Sequence, residues 1–126
     1  LRPDISLPSS VQQEVEQFAL QFLREGRFNW DEPHTRAVVF YAVMLASQES
    51  KNTDIIQAAW FHDIGYFGLF EEESESGNWD AVRDRKARHM IVGAARSKEF
   101  LQRPDIQPHY TLVQRERIPH LTTKAI

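Results

Sequence analysis

The pair His62-Asp63 joins two side chains that bind divalent cations well, a neutral imidazole and a carboxylate. It ends the apolar and aromatic stretch 58–61, and Gly65 follows two positions later. A stretch of that composition predicts a buried helix, and burying a carboxylate without a partner is costly. A metal ion bound by His62 and Asp63 is the most economical partner for the charge.

Three further histidines fall where they could join this pair. His34 is predicted at the start of the second helix, His89 on the fourth helix and His120 in the last. A single histidine is more often an ordinary surface or capping residue, by roughly three to one. His34 and the pair His62-Asp63, however, each stand at the end of an apolar helix. For these three residues, that placement makes one shared metal site a better interpretation than ordinary surface or capping residues.

The composition restricts the kind of site and the kind of partner. The 126 residues include no cysteine, so nitrogen and oxygen atoms must hold any metal. Nitrogen-rich ligation favours transition metals such as Mn, Fe, Co, Ni or Zn over Mg, without naming one. The net charge of −3 and the pI of about 5.9 argue against a nucleic-acid-binding protein. The lack of cysteine fits a cytoplasmic protein, and the longest apolar run, residues 37–46, is too short to span a membrane.

Helical periodicity predicts the elements that must position these residues. Apolar residues recur at i, i+4, i+7 and i+11 from Val11, which predicts an amphipathic first helix closed by Gly26. Residues 31–33 open a second helix. Because residues 37–46 are apolar on every side, this helix is expected to be the central, buried one.

The remaining helices follow the same pattern. A third helix is predicted from residue 52 to His62, with Gly65 as its stop, and a fourth spans residues 80–102. A last segment from residue 110 is expected to be interrupted by Pro119. Residues 66–78, rich in serine and like charges, are predicted to be the most mobile internal stretch. No segment alternates like a strand, so the predicted class is all-α.

The motif residues resemble those of a known family. His34, the segment 58–65 ending in His62-Asp63-Ile64-Gly65, and the segment 88–101 look like the HD-domain superfamily of metal-dependent phosphohydrolases. The resemblance covers about residues 33–101. It implies an HD-domain-like bundle of about five to six helices with a divalent metal between them.

The resemblance also assigns residues. His34, His62 and Asp63 match the first three metal ligands. His89 matches a histidine that in some members helps to bind a second metal or the substrate phosphate, and His120 lies near where some members place another histidine. Arg36, two residues after His34, could offer two parallel hydrogen bonds to a phosphate, although a solvated helix charge is at least as good an interpretation.

The function implied is hydrolysis of a small phosphoester, with a nucleotide as one option. The metal ion activates a water molecule, and Asp63 serves both as ligand and as acceptor of the proton. The alternative is a non-catalytic HD-like module that binds a metal or nucleotide and regulates a partner. The sequence leaves homo-oligomerisation open.

The C-terminal end of the chain carries one more expectation. The last metal ligand of the family is an aspartate on a later helix, and the chain ends at Ile126 before such a helix can form. We therefore expect residues 1–126 to be a single HD-like domain that is truncated at its C-terminus. The natural protein would then continue with at least one further helix that carries the aspartate.

Overall fold

The computed structural model describes residues 7–27, 29–49, 54–67 and 79–123. These residues form five α-helices and two short 3₁₀ turns and contain no strand, which confirms the all-α class. The helices are α1 (Ser9–Leu23), α2 (Asp31–Glu49), α3 (Asp54–Phe61), α4 (Trp79–Leu101) and α5 (Leu112–Thr123); the turns are Ile64–Tyr66 and Gln107–His109. None of the helices within the described ranges is long and apolar enough to cross a membrane.

The core forms around α3, which α1, α2, α4 and α5 all contact. Phe61 at the end of α3 is completely buried, and its ring lies 6.0 Å from that of Phe18 and 5.8 Å from that of Phe100. The predicted apolar stripe of α1 packs into the same core. Burying one such phenylalanine contributes about 2–3 kcal/mol. The core therefore holds the end of α3, where the His-Asp pair begins, in a fixed place.

The expectation that α2 is the central, buried helix is wrong. Only a narrow stripe of α2 is buried, formed by Asp31, Thr35, Ala42 and Ala46. The larger apolar residues of the helix are exposed; they are Phe40, Tyr41, Val43, Met44 and Leu45. The physical reason is that α2 packs mainly against α3, and one neighbouring helix covers one side only. An all-apolar sequence shows that a helix can be buried, but not how many neighbours it has.

The end of α3 also differs from the prediction. The helix ends at Phe61, one residue before His62, and Gly65 lies within the turn Ile64–Tyr66 instead of stopping the helix. A Cβ atom at Gly65 would overlap the backbone carbonyl of His89 and come within 2.6 Å of the amide nitrogen of Gly93. Glycine is therefore needed here because the turn is pressed directly onto α4.

The C-terminal helices lie close to where they were predicted. α4 has nearly the expected bounds, whereas α5 continues past Pro119, which is buried inside it, so the expected interruption does not occur. The predicted mobile stretch 66–78 is tested only at its start, since residues 68–78 lie outside the described part of the chain. Tyr66 is buried against α4 instead of lying in an exposed loop.

Candidate metal centre

Asp63 lies between the end of α3 and the turn Ile64–Tyr66, and its carboxylate is buried. Its Oδ2 atom is 3.2 Å from His62 Nε2 and 3.2 Å from Arg27 Nη2, and its Oδ1 atom is 3.2 Å from His89 Nε2. Burial opposes the charge of the carboxylate. The hydrogen bonds from the two histidines and the charge of Arg27 outweigh burial and hold the pKa of Asp63 well below its usual range. The side chain is therefore ionised at neutral pH.

His34 approaches the same carboxylate from the first turn of α2. Its Nε2 atom is 3.8 Å from Asp63 Oδ2, and its ring stacks on Trp30 with centroids 5.2 Å apart. The ligand atoms of His34, His62 and Asp63 all lie within 4.8 Å of one another. A cation with bonds of about 2.1 Å joins ligand atoms up to about 4 Å apart, so small side-chain movements close the triad around one ion. The structure thus brings together the three predicted ligands.

The two buried histidines are oriented in the same way. His62 Nδ1 lies 2.7 Å from the carbonyl oxygen of Ala59, and His89 Nδ1 is hydrogen-bonded to the carbonyl oxygen of Lys86. A ring nitrogen facing a carbonyl must carry the proton and donate it. In the neutral ring the other nitrogen, Nε2, then has a lone pair, which is the usual arrangement of a metal-binding histidine.

This orientation requires a positive charge between each of the two histidines and Asp63. Lone pairs on His62 Nε2 and His89 Nε2 would face a negatively charged carboxylate, which is repulsive unless a positive charge lies between them. That charge is either a proton on the ring or a metal ion. Burial lowers the pKa of His62, but the hydrogen bond and the charge of Asp63 raise it by more, so its pKa is raised overall. The residues therefore form a site that attracts cations.

Arg27 and Asp31 also belong to the cluster, although neither was predicted from the sequence. Arg27 Nε donates to Asp31 Oδ1 at 2.7 Å, and the Arg27 backbone N–H donates to Asp31 Oδ2 at 2.7 Å. Asp31 is completely buried. Burial raises the pKa of Asp31 above its usual value although Arg27 opposes the shift. Arg27 thus bridges the carboxylates of Asp31 and Asp63.

Tyr66 separates Arg27 from His89. The Arg27 guanidinium lies 3.7 Å from the centroid of the Tyr66 ring, and the His89 ring stacks on Tyr66 at 3.9 Å with an angle of 14°. Two groups this close to one centroid must occupy opposite faces of the ring. The layered arrangement fixes the positions of two of the groups that contact Asp63.

Two predicted site residues lie apart from the cluster. Arg36 donates to Glu32 Oε2 at 3.1 Å, and its guanidinium lies 5.8 Å from the Trp60 ring centroid. Residues two apart on a helix point in nearly opposite directions, which explains why Arg36 does not accompany His34 into the centre. His120 is exposed on α5 and is not one of the three clustered ligands. Their proposed roles stay predictions.

A signal for the missed residues was present in the sequence. Asp31 opens an apolar helix, so it needs a partner for the same reason as Asp63. Arg27, four residues earlier, is the nearest cationic side chain that precedes it. A Cβ atom at Gly26 would collide with the Asp31 carboxylate, so any other residue there would have to displace that side chain.

In comparisons with known proteins, no protein-family model, no curated protein and no solved structure matches this chain.

Proposed function

We propose that this protein is a metal-dependent phosphohydrolase that acts on a small phosphoester. The observation that carries the proposal is the convergence of His34, His62 and Asp63, whose ligand atoms lie within 4.8 Å of one another. The order of these residues along the chain, followed by His89, is also the basis for proposing an HD-domain-like arrangement of the helices. Two nitrogen ligands and one oxygen ligand fit a transition metal such as Mn, Fe, Co, Ni or Zn better than Mg.

Each residue has a role in this proposal. When bound, a divalent cation lowers the pKa of a water molecule and polarises a phosphoryl oxygen. His34, His62 and Asp63 hold the cation. Asp63 Oδ1 accepts the proton of the attacking water and relays it to His89 Nε2, 3.2 Å away, because a carboxylate whose pKa lies well below its usual range does not keep a proton. His89 also orients the carboxylate, which gives it a positioning role beside a single metal.

Arg27 is better placed than Arg36 to bind the phosphate. Its Nη2 atom already lies 3.2 Å from Asp63 Oδ2, and its side chain is partly exposed. A planar guanidinium can donate two parallel hydrogen bonds to a phosphate, which a lysine cannot do. Trp30, 53% exposed and stacked on His34, offers a flat surface beside the metal. That surface supports a nucleotide as the substrate, since a base can stack on it.

The test is metal analysis followed by a substrate panel. Protein purified without chelators should contain about one transition metal ion per chain, and it should hydrolyse nucleoside monophosphates faster than aliphatic phosphomonoesters. His62→Ala should lower kcat/KM by at least about 100-fold, because a metal ligand is lost. His109→Ala is the matched control, since His109 is exposed in the turn Gln107–His109. Full activity of His62→Ala with normal helical content would refute the proposed role.

One observation favours the non-catalytic alternative. Arg27 already supplies a positive charge to the Oδ2 atom that the metal would need. In a regulatory module this ion pair would give way only when a metal ion binds, and no substrate would be turned over. Protein that binds one metal ion per chain, yet hydrolyses no phosphoester of the panel at any pH, would support this alternative over the enzyme.

A further inference from the structure

The outward side of α2 carries a second apolar stripe. Ala37, Phe40, Tyr41 and Met44 are spaced i, i+3, i+4 and i+7, the spacing of one helix face. All four are exposed, Phe40 by 60% and Tyr41 by 63%. This outer stripe lies opposite the buried stripe of α2. The helix therefore has the residue pattern for packing on two sides, whereas α3 covers only one.

The outer stripe is large for a surface feature. Together with the flanking Val43 and Leu45, it exposes on the order of 500 Å² of apolar surface, near the upper end for a monomer. Burying such a patch on each of two chains removes on the order of 1,000 Å², about the minimum for a specific interface. Single exposed apolar residues such as Ile91 on α4 are common and need no such explanation.

We propose that the outer stripe is the interface of a homodimer in which two α2 helices pair antiparallel about a two-fold axis. An axis between Phe40 and Tyr41 places Ala37 opposite the partner's Met44 and Phe40 opposite the partner's Tyr41. The stripe is then complementary to itself, with a small side chain against a long one and a ring against a ring. Such an alternation lets the axes of the two helices approach to about 8–10 Å.

The charge pattern favours a second copy over an unrelated partner. A two-fold interface brings a surface against itself, so any charge near the axis faces its own copy and is repelled. Residues 37–46 contain no charged side chain. The Phe40 and Tyr41 rings also contact each other edge to face with centroids 5.5 Å apart, which orders them before the partner arrives. Aromatic residues and methionine are enriched at interfaces, and preordering lowers the entropic cost of binding.

The first test is the mass of the full chain in solution as a function of concentration. Light scattering should give twice the chain mass of 14.7 kDa at about 100 µM and approach the single-chain mass on dilution below about 1 µM, as expected of a small interface. Phe40→Glu should remain a monomer across this range. Glutamate is a good helix former and Phe40 is exposed, so α2 should still form, which circular dichroism checks.

The matched control is Ile91→Glu, the same kind of change at another exposed apolar residue. It should dimerise as the parent does. A parent chain that stays monomeric at about 100 µM would overturn the proposal, and so would a dimer that Phe40→Glu leaves intact. Masses that rise beyond two chains would also overturn it, because a two-fold interface closes at the dimer.

A second test determines whether the two α2 helices pair antiparallel. Because the chain has no native cysteine, only introduced cysteines can form a disulfide. An equal mixture of Ala37→Cys and Met44→Cys chains should form a disulfide-linked dimer under mild oxidation. Either variant alone should form it several-fold more slowly, because antiparallel pairing separates equivalent positions by about 10 Å along the axis. Faster crosslinking of either variant with itself than of the mixture would contradict the proposed pairing.

Discussion

α3 has a buried carboxylate at each end, and the two have different partners. Asp54, at the start of the helix, accepts hydrogen bonds from Arg117 Nε at 2.8 Å and from Gln114 Nε2 at 3.0 Å. Asp63, just after the helix, faces His62 and His89 at 3.2 Å each as well as an arginine. Burial is nearly the same for the two carboxylates. The two sites differ in whether a metal ion can replace the groups that contact the carboxylate.

The surroundings of Asp54 are permanent. An arginine keeps its charge at every physiological pH, and the N-terminus of a helix stabilises a carboxylate beside it. Asp63 follows a helix C-terminus, where the helix dipole gives no such support. The His62 ring nitrogen that faces Asp63 can instead bind a metal once it carries no proton. The comparison teaches that exchangeable partners, and not burial, distinguish a candidate functional carboxylate from a structural one.

The largest effect is expected at the metal centre. Asp63→Asn should weaken binding of a transition metal by at least about 100-fold, because a charged ligand becomes a neutral amide. Its thermal stability without metal should fall as well, because the depressed pKa of Asp63 means that its charge stabilises the fold through Arg27 and His62. Calorimetric titration and thermal melts measure the two quantities. Unchanged metal affinity in this variant would remove the distinction between the two carboxylates.

Asp54→Asn should lose stability without losing metal affinity. Arg117 loses its charged partner inside the interface between α3 and α5, which should cost about 2 kcal/mol of unfolding free energy. Denaturant unfolding measures the loss. Metal affinity of the folded protein should stay within about twofold of the parent, since Asp54 is at the other end of α3. A large loss of metal affinity without loss of stability would show that the two ends are not separate.

A packing change should affect both properties together. Gly65→Ala forces a methyl group against the His89 carbonyl and should push the turn away from α4, costing about 1–3 kcal/mol. Because the same turn holds Asp63 against His89, metal affinity should fall as well. The control is Gly93→Ala, whose Cβ atom would meet its nearest neighbour at an ordinary 3.4 Å and should have the smaller effect. Equal effects of the two substitutions would argue against close packing at Gly65 as the cause.

The smallest expected effect is on pH dependence. Only a neutral His62 ring binds metal, and its pKa is raised because the interactions with Asp63 outweigh burial. Protons should therefore compete with the metal at a higher pH than for an isolated histidine. Affinity should fall by up to about tenfold per pH unit below this raised pKa, so the fall begins above the pH of about 6.5 at which an isolated histidine titrates. Titrations across this range measure it, and a constant affinity would show that His62 is not a ligand.

The sequence predicted the helices better than it predicted their neighbours. Helical periodicity depends on local spacing, so the bounds of α1 and α4 were recovered closely. The burial of α2 was misjudged because its apolar run fits two packing partners, whereas within the described residues α2 packs mainly against α3. The continuation of α5 through Pro119 was also missed, since tertiary packing holds a helix that proline would weaken in isolation.

The candidate site was predicted in part. His34, His62 and Asp63 stand at helix ends, where the spacing of residue types already indicates a metal site. The contributions of Arg27 and Tyr66 depend on contacts between segments far apart in the sequence, and periodicity carries no information about such contacts. The position of Arg36 could have been predicted, because two residues of helix rotate its side chain away from His34.

The most direct test of the account is calorimetric titration of the metal-free chain with a transition metal, in parallel with the double variant His34→Ala/His62→Ala. The parent should bind one ion per chain and the double variant should show no measurable binding, with helical content preserved in both. Absence of binding to the parent, or equal binding by the double variant, would contradict the claim that His34, His62 and Asp63 form a metal centre.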